Sequence, residues 1–168
     1  VENAIKLVFA SIYSPESRAY FNAIDYMIEE EKMAVIIQEV IGNEHNGRYY
    51  PEISGVAQSY NFYPFSYIQP EDGFAVTAIG LGAYVVGGEK THRFSPAYPK
   101  LQLASTQDKI KASQRYFYGV NMLAQDYDLY RDGENAAIKA YDISEAERDG
   151  TLEYTASVYD FMNDQITY

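Results

Sequence analysis

The chain has 168 residues, 47% of them apolar, with a formal net charge of −11 and no cysteine. This length holds one domain with a real core, and the acidic balance excludes a surface built for nucleic acid or anionic membrane, which needs cations to neutralise phosphates. The lack of thiols excludes disulfides and thiolate metal sites.

The chain opens on Val1-Glu-Asn-Ala-Ile5, without an initiator Met and already in helical spacing, so it is expected to be a piece cut from a longer protein. Ile5, Val8, Phe9 and Ile12 fall at i, i+3, i+4 and i+7, which predicts a first helix ending near Tyr13. Ser14-Pro15-Glu16 then starts a second helix, with Ser as N-cap, Pro at the first helical position and an acid in the first turn. Its apolar face is Ala19, Tyr20, Ala23, Ile24 and Met27, and Glu29-Glu30-Glu31-Lys32 is a solvated break. Met33 to Ile41 is nearly continuous and β-branched, the pattern of a strand buried on both faces. Asn46-Gly47 signals a hairpin, with the returning strand over roughly Tyr49 to Tyr60.

An aromatic loop with Pro64 and Pro70 leads to a turn at Glu71-Asp72-Gly73, and a third strand is expected over Phe74 to Ile79. Thr91 to Phe94 is a candidate short strand before the Pro96/Pro99 linker. Thr106 to Ser113 reads as helix or loop, and Arg115 to Met122 alternates like a strand. A short helix over Ile143 to Arg148 would start at Asp142 or Ser144, and a final long strand is expected over Thr151 to Val158. The fold class is α+β, with two N-terminal helices followed by a mostly antiparallel sheet. No apolar run approaches the ~20 residues that cross a bilayer, and no basic-then-apolar leader is present; the expected setting is cytoplasmic. The 18 tyrosines suit half-buried strands and interfaces alike.

Candidate chemistry is sparse. The two histidines, His45 and His92, have no second His, Asp or Glu at ligand spacing, so both read as surface loop residues rather than zinc ligands. No Gly-x-Ser-x-Gly elbow is present. Four of the 11 glycines fall in Ile79-Gly-Leu-Gly-Ala-Tyr-Val-Val-Gly-Gly88. This stretch matches neither G-x-G-x-x-G nor a P-loop. On its own it is either a phosphate cradle or a tight turn where only glycine fits.

Four blocks carry a family resemblance, in order, over roughly residues 4 to 95. Ala10-Ser-Ile-Tyr-Ser-Pro15 with Tyr20 resembles the helical segment, and Met33-Ala-Val-Ile-Ile-Gln-Glu-Val40 the Gln-x-Met-Val strand, of phosphoenolpyruvate synthase and pyruvate phosphate dikinase. Ile53-Ser-Gly-Val-Ala-Gln-Ser59 is similar to that family's Ser-Gly-Val-Ala-Phe-Thr, and Gly80-Leu-Gly-Ala-Tyr-Val-Val-Gly87 to its Gly-Leu-Gly-Glu-Ala-Val-Val-x-Gly.

The resemblance implies an ATP-grasp nucleotide-binding domain. Residues 1–100 would be its second half, and residues 101–168, with less family signal, a mixed α/β continuation of the same domain. It implies ATP and Mg²⁺ as cofactors, with phosphoryl transfer to a histidine on a separate domain of the same parent chain. A phosphate-binding lysine and arginine would precede Val1, so the piece by itself is expected to be inactive and holds no catalytic residue. Gln38, Glu39 and Val40 match the strand that meets adenine and ribose, Gly80 and Gly82 the loop beside the phosphates, and Lys90 a basic residue near the terminal phosphate.

Three positions depart from the pattern: Ala83 stands where the family has Glu, Val76 where it has a carboxylate, and Gln58 where it has Phe. The first two weaken a Mg²⁺ site, which depends on anionic oxygens. The alternative is therefore a degenerate, non-catalytic domain that binds nucleotide or a partner for regulation. A third reading is an interaction module whose tyrosine-rich surface docks another domain.

Overall fold

Ser14 accepts a hydrogen bond from the Ser17 N–H at 3.2 Å, and Pro15 fills the first helical position, where its missing N–H costs nothing. This cap separates helix α1, Glu2–Ser11, from α2, Pro15–Ala23. The computed structural model describes residues 1–168 except Asp25, Tyr26, Glu29, Glu30, Lys90, Gln102, Leu103, Asp126, Tyr127, Glu134, Asn135, Ala136, Tyr154 and Tyr168. The chain forms two units. The first combines Val1–Val40 with Gln125–Ala136, and the second combines Ile41–Ala124 with Ala137–Tyr168.

The first unit holds α1, α2 and the short α5, Leu129–Asp132, which packs on α1. Asp128 caps α5, its carboxylate accepting from the Tyr130 N–H at 2.9 Å. The strand expected over Met33 to Ile41 is not formed, and among the described residues this segment belongs to no sheet. Ile36 and Ile37 are 82% and 71% exposed, so the β-branched run lacks the two covered faces that its sequence pattern anticipates.

The second unit contains all the described strands: β1 Asn43–His45, β2 Arg48–Tyr50, β3 Ser54–Gln58, β4 Phe74–Ala78, β5 His92–Phe94, β6 Tyr116–Asn121, β7 Ile138–Asp142, β8 Val158–Asp160 and β9 Gln165–Thr167. Every pairing is antiparallel, in three sheets ordered β1-β2-β6-β7, β3-β4-β5 and β8-β9. Its short helices are α3 Ala83–Val86, α4 Thr106–Lys111 and α6 Ile143–Arg148. The architecture is α+β, with two helices first in the chain and antiparallel sheets after them.

The β1–β2 turn is Asn46-Gly47, both at positive φ (50° and 79°), as a two-residue hairpin requires. The expected long return strand is divided into β2 and β3. Pro51 falls at the break and has no N–H to give a ladder. Of the strand expected over Thr151 to Val158, only Val158 is in a strand, as the first residue of β8, while Thr151–Glu153 and Thr155 are turn residues following α6. Thr151 donates both its N–H and its hydroxyl to the Ala146 carbonyl at 3.1 Å, and the Thr155 hydroxyl donates to the Thr151 carbonyl at 2.8 Å. Backbone groups committed to that turn are lost to a sheet.

The core of the second unit forms where Tyr50, Ile79, Phe117 and Ala146 meet, with Tyr141, Ile143 and Leu152 packed against them. Tyr50 and Phe117 are fully buried, their ring centroids 4.5 Å apart. Side chains alternate across β6: Phe117 enters this core, while Tyr116 and Tyr118 point to the other face. Among the described residues no helix is long and apolar enough to cross a membrane.

Candidate functional site: the Gly-Leu-Gly loop

The loop after β4 is fastened to the second unit by backbone groups of distant segments. Gly80 donates its N–H to the Pro51 carbonyl at 3.2 Å, and Leu81 donates to the Tyr118 carbonyl at 2.8 Å. Gly80 has φ +84°, and a Cβ there would stand 2.6 Å from the Tyr118 carbonyl oxygen and 2.9 Å from the Phe117 Cβ. Its lack of a side chain is therefore demanded by both conformation and contact.

Gly82 differs. Its φ of −58° and ψ of −13° are ordinary right-handed values, and a Cβ added there meets nothing within 4 Å. Neither backbone nor packing calls for glycine at this position. The N–H groups of Gly82 and Ala83 have no partner among the described residues, whereas those of Tyr84, Val85, Val86 and Gly87 bond back to Leu81, Gly82 and Ala83. The Tyr84-Val85-Val86 run, β-forming by propensity, is thus helical. Tertiary packing decides this, because Tyr84 is buried and makes an edge contact with Tyr116 at 5.2 Å. Burial, Glu89 and Tyr118 raise the Tyr84 hydroxyl pKa. A hydrogen bond to Glu89 raises that of Tyr116, with burial and Tyr118 acting in the same direction. Both phenols are therefore neutral hydrogen-bonding groups at neutral pH.

Gln114, which carries no motif, is seated at the entrance to the loop. Its Oε1 accepts from the Ile79 N–H at 2.9 Å, and its Nε2 donates to the Ile79 carbonyl at 2.9 Å and to the Tyr116 carbonyl at 3.0 Å. Nothing in the local sequence marks it. The signal is a pairing 35 residues apart.

Gln38, Glu39 and Val40 are exposed and irregular, and they belong to the first unit, whereas Gly80 and Gly82 belong to the second. Lys90 lies outside the described residues.

Val76 sits in register between Val56 on β3 and Arg93 on β5. Arg93 lies over the Phe74 ring at 3.8 Å and donates to the Oδ1 of buried Asn61 at 2.6 Å. Ala83 begins α3 and is exposed. A magnesium site therefore does not fit the described residues. Positions 76 on β4 and 83 in the loop carry no carboxylate, and among the described residues no group of three His, Asp or Glu lies close enough to hold a metal.

The histidines expected in loops are both on strands. His45, on β1, packs against Tyr50 at 4.9 Å, with its Nε2 3.7 Å from Glu52. His92, on β5, stacks along Phe94 and is held below the usual histidine pKa, first by burial and then by Lys109.

A second polar centre, unmarked in the sequence, surrounds Asp149. Its fully covered carboxylate accepts from the Arg48 Nη2 at 2.7 Å and Nε at 3.2 Å, the Asn46 Nδ2 at 2.6 Å and the Tyr50 hydroxyl at 2.7 Å. Arg48 also reaches Glu145 at 3.2 Å. This network is saturated with internal partners and ties the β1–β2 hairpin to the end of α6.

The family model described as pyruvate phosphate dikinase, AMP/ATP-binding domain, matches residues 1–152. No curated protein and no solved structure matches the chain. With nine-tenths of its length covered by that one model, the chain belongs to the pyruvate phosphate dikinase AMP/ATP-binding domain family.

Proposed function

We propose that this chain is part of an ATP-grasp domain of a phosphoenolpyruvate synthase-like dikinase, and that the Gly80–Ala83 turn receives the phosphates of ATP. In the parent protein the bound nucleotide serves phosphoryl transfer to a histidine of a separate domain. The observation that carries the phosphate reading is Gly82, a glycine with room for a side chain and no conformational need to lack one. A ligand approaching the backbone accounts for such a glycine, and two adjacent N–H groups stand ready to donate to phosphate oxygens. Gln38, Glu39 and Val40 are assigned to adenine and ribose, and Lys90 to the terminal phosphate, on the strength of the family motifs alone.

Positioning and charge neutralisation dominate phosphoryl transfer. This chain's described residues contribute positioning, through the fastened loop, and no metal-binding carboxylates. The shortage of acids at Val76 and Ala83 favours a second reading, in which the domain binds adenine nucleotide for regulation without turnover. Calorimetric titration of the intact parent with Mg-ATP tests nucleotide binding, and a flat response at millimolar ATP refutes it. A turnover assay of the same protein separates the two readings. If only metal ligands are lacking, Val76→Glu combined with Ala83→Glu raises activity.

A further inference from the structure

Ile79 is the first residue after β4, its two backbone polar groups are bonded to a side chain and not to a strand, and it is 9% exposed. A side chain serves as its partner. The Gln114 amide offers one acceptor and two donors in one plane. It meets the Ile79 N–H and carbonyl in the two-way pattern of a strand pair, then spends its second donor on Tyr116, the first residue of β6. Gln114 thereby splices the β3-β4-β5 sheet to the β1-β2-β6-β7 sheet at the residue before Gly80. The next two residues are fixed by backbone bonds to Pro51 and Tyr118, and beyond them the N–H groups of Gly82 and Ala83 have no partner among the described residues.

We infer that Gln114 is a positioning residue for nucleotide. It touches no ligand itself, but it sets the direction in which the chain leaves β4 and therefore where the Gly82 and Ala83 N–H groups aim. The inference rests on the assignment of this loop to the phosphates of ATP. Three bonds from one amide make the role demanding in shape as well as chemistry. Asn is one methylene too short to span all three atoms. Glu keeps an acceptor for the Ile79 N–H but sets a carboxylate against two carbonyl oxygens. Met fills the same space with no hydrogen bond.

The test uses the full chain, Gln114→Met as the volume-conserving variant, Gln114→Glu as a second, and Asp149→Asn as a control. The control lowers stability through a network none of whose hydrogen bonds reaches residues 79–83. Mg-ATP affinity by calorimetry, amide hydrogen exchange at Gly80 and Leu81, and melting temperature are read on each. The expected result is at least tenfold weaker Mg-ATP binding and at least tenfold faster exchange at both amides for the two Gln114 variants. Asp149→Asn leaves both within twofold at a comparable loss of melting temperature.

Unchanged exchange in Gln114→Met overturns the inference, as does an equal loss of affinity in Asp149→Asn. If the unaltered chain binds no Mg-ATP, the nucleotide assignment of the loop fails. In that case the exchange rates alone decide whether Gln114 holds it.

Discussion

Replacing each glycine of the Gly-Leu-Gly loop by alanine separates what the fold needs from what a ligand needs. At Gly80 the new methyl enters a left-handed conformation, which costs about 1–2 kcal/mol. It also arrives 2.6 Å from the Tyr118 carbonyl oxygen and 2.9 Å from Phe117, overpacking that costs a further ~1–3 kcal/mol. The sum is roughly 2–5 kcal/mol, a fall in melting temperature of about 4–20 °C for a chain of this size. At Gly82 the backbone is already right-handed and the space is open, so alanine stabilises by about 0.4–1 kcal/mol through the unfolded chain, a rise of about 1–4 °C. Thermal unfolding of the two variants checks this contrast, and calorimetry with Mg-ATP adds the functional half. Gly82→Ala is expected to bind at least tenfold more weakly, about 1.4 kcal/mol, while being the more stable protein. A Gly82→Ala variant as unstable as Gly80→Ala refutes the geometric reasoning. One that is stable and binds ATP normally refutes the reading of the open space as ligand space.

The remaining predictions concern the second unit. Burial pushes the Asp149 carboxyl pKa up, but bonds from Arg48, Tyr50 and Asn46 outweigh it and hold the pKa below the ordinary carboxylate value. Its contribution to stability is therefore full above the unfolded value of about 3.9 and is lost as pH falls through the folded one; melting curves from pH 7 to 3 are expected to steepen on the acid side, and Asp149→Asn to flatten that limb. Tyr50→Phe removes a buried hydroxyl bonded to that carboxylate and to Thr151, a loss of about 1.5–3 kcal/mol in denaturant unfolding. Arg93→Ala removes a guanidinium stacked on Phe74, a loss of about 0.5–2 kcal/mol; Arg93→Lys recovers only part of it, since an ammonium lacks the planar face.

Local chemistry was legible wherever a residue's own neighbours determine its conformation. Ser14-Pro15 at the start of α2, Asn46-Gly47 in the hairpin and Asp142 at the head of α6 sit as their side chains and φ preferences dictate. β4, β5 and β6 lie within the spans expected for them, and burial alternates along β6. What misled was composition read without tertiary context. Met33 to Ile41 has a strand's composition, yet among the described residues it enters no sheet, because composition does not say which segment a strand will pair with. Tyr84-Val85-Val86 shows propensity overridden, a run of β-forming residues held in a helical turn with Tyr84 buried on Tyr116. Gln114 and Asp149 were invisible because their meaning lies in pairings 35 and about 100 residues away.

One feature of the chain's path bears on how the protein can be cut. β6 and β7 pair as neighbours, with Val120 opposite Ile138 and the Asn121 N–H bonded to the Ala137 carbonyl at 2.7 Å. The stretch Gln125–Ala136, between β6 and β7 in the chain, belongs to the first unit. The chain therefore crosses between units three times, after Val40, Ala124 and Ala136, and no single truncation yields either unit whole. Replacing residues 125–136 by a short connection, with the start set at Ile41, is the excision that respects the unit boundaries and the β6–β7 pairing. The first unit's counterpart has to be assembled from two separate pieces of chain.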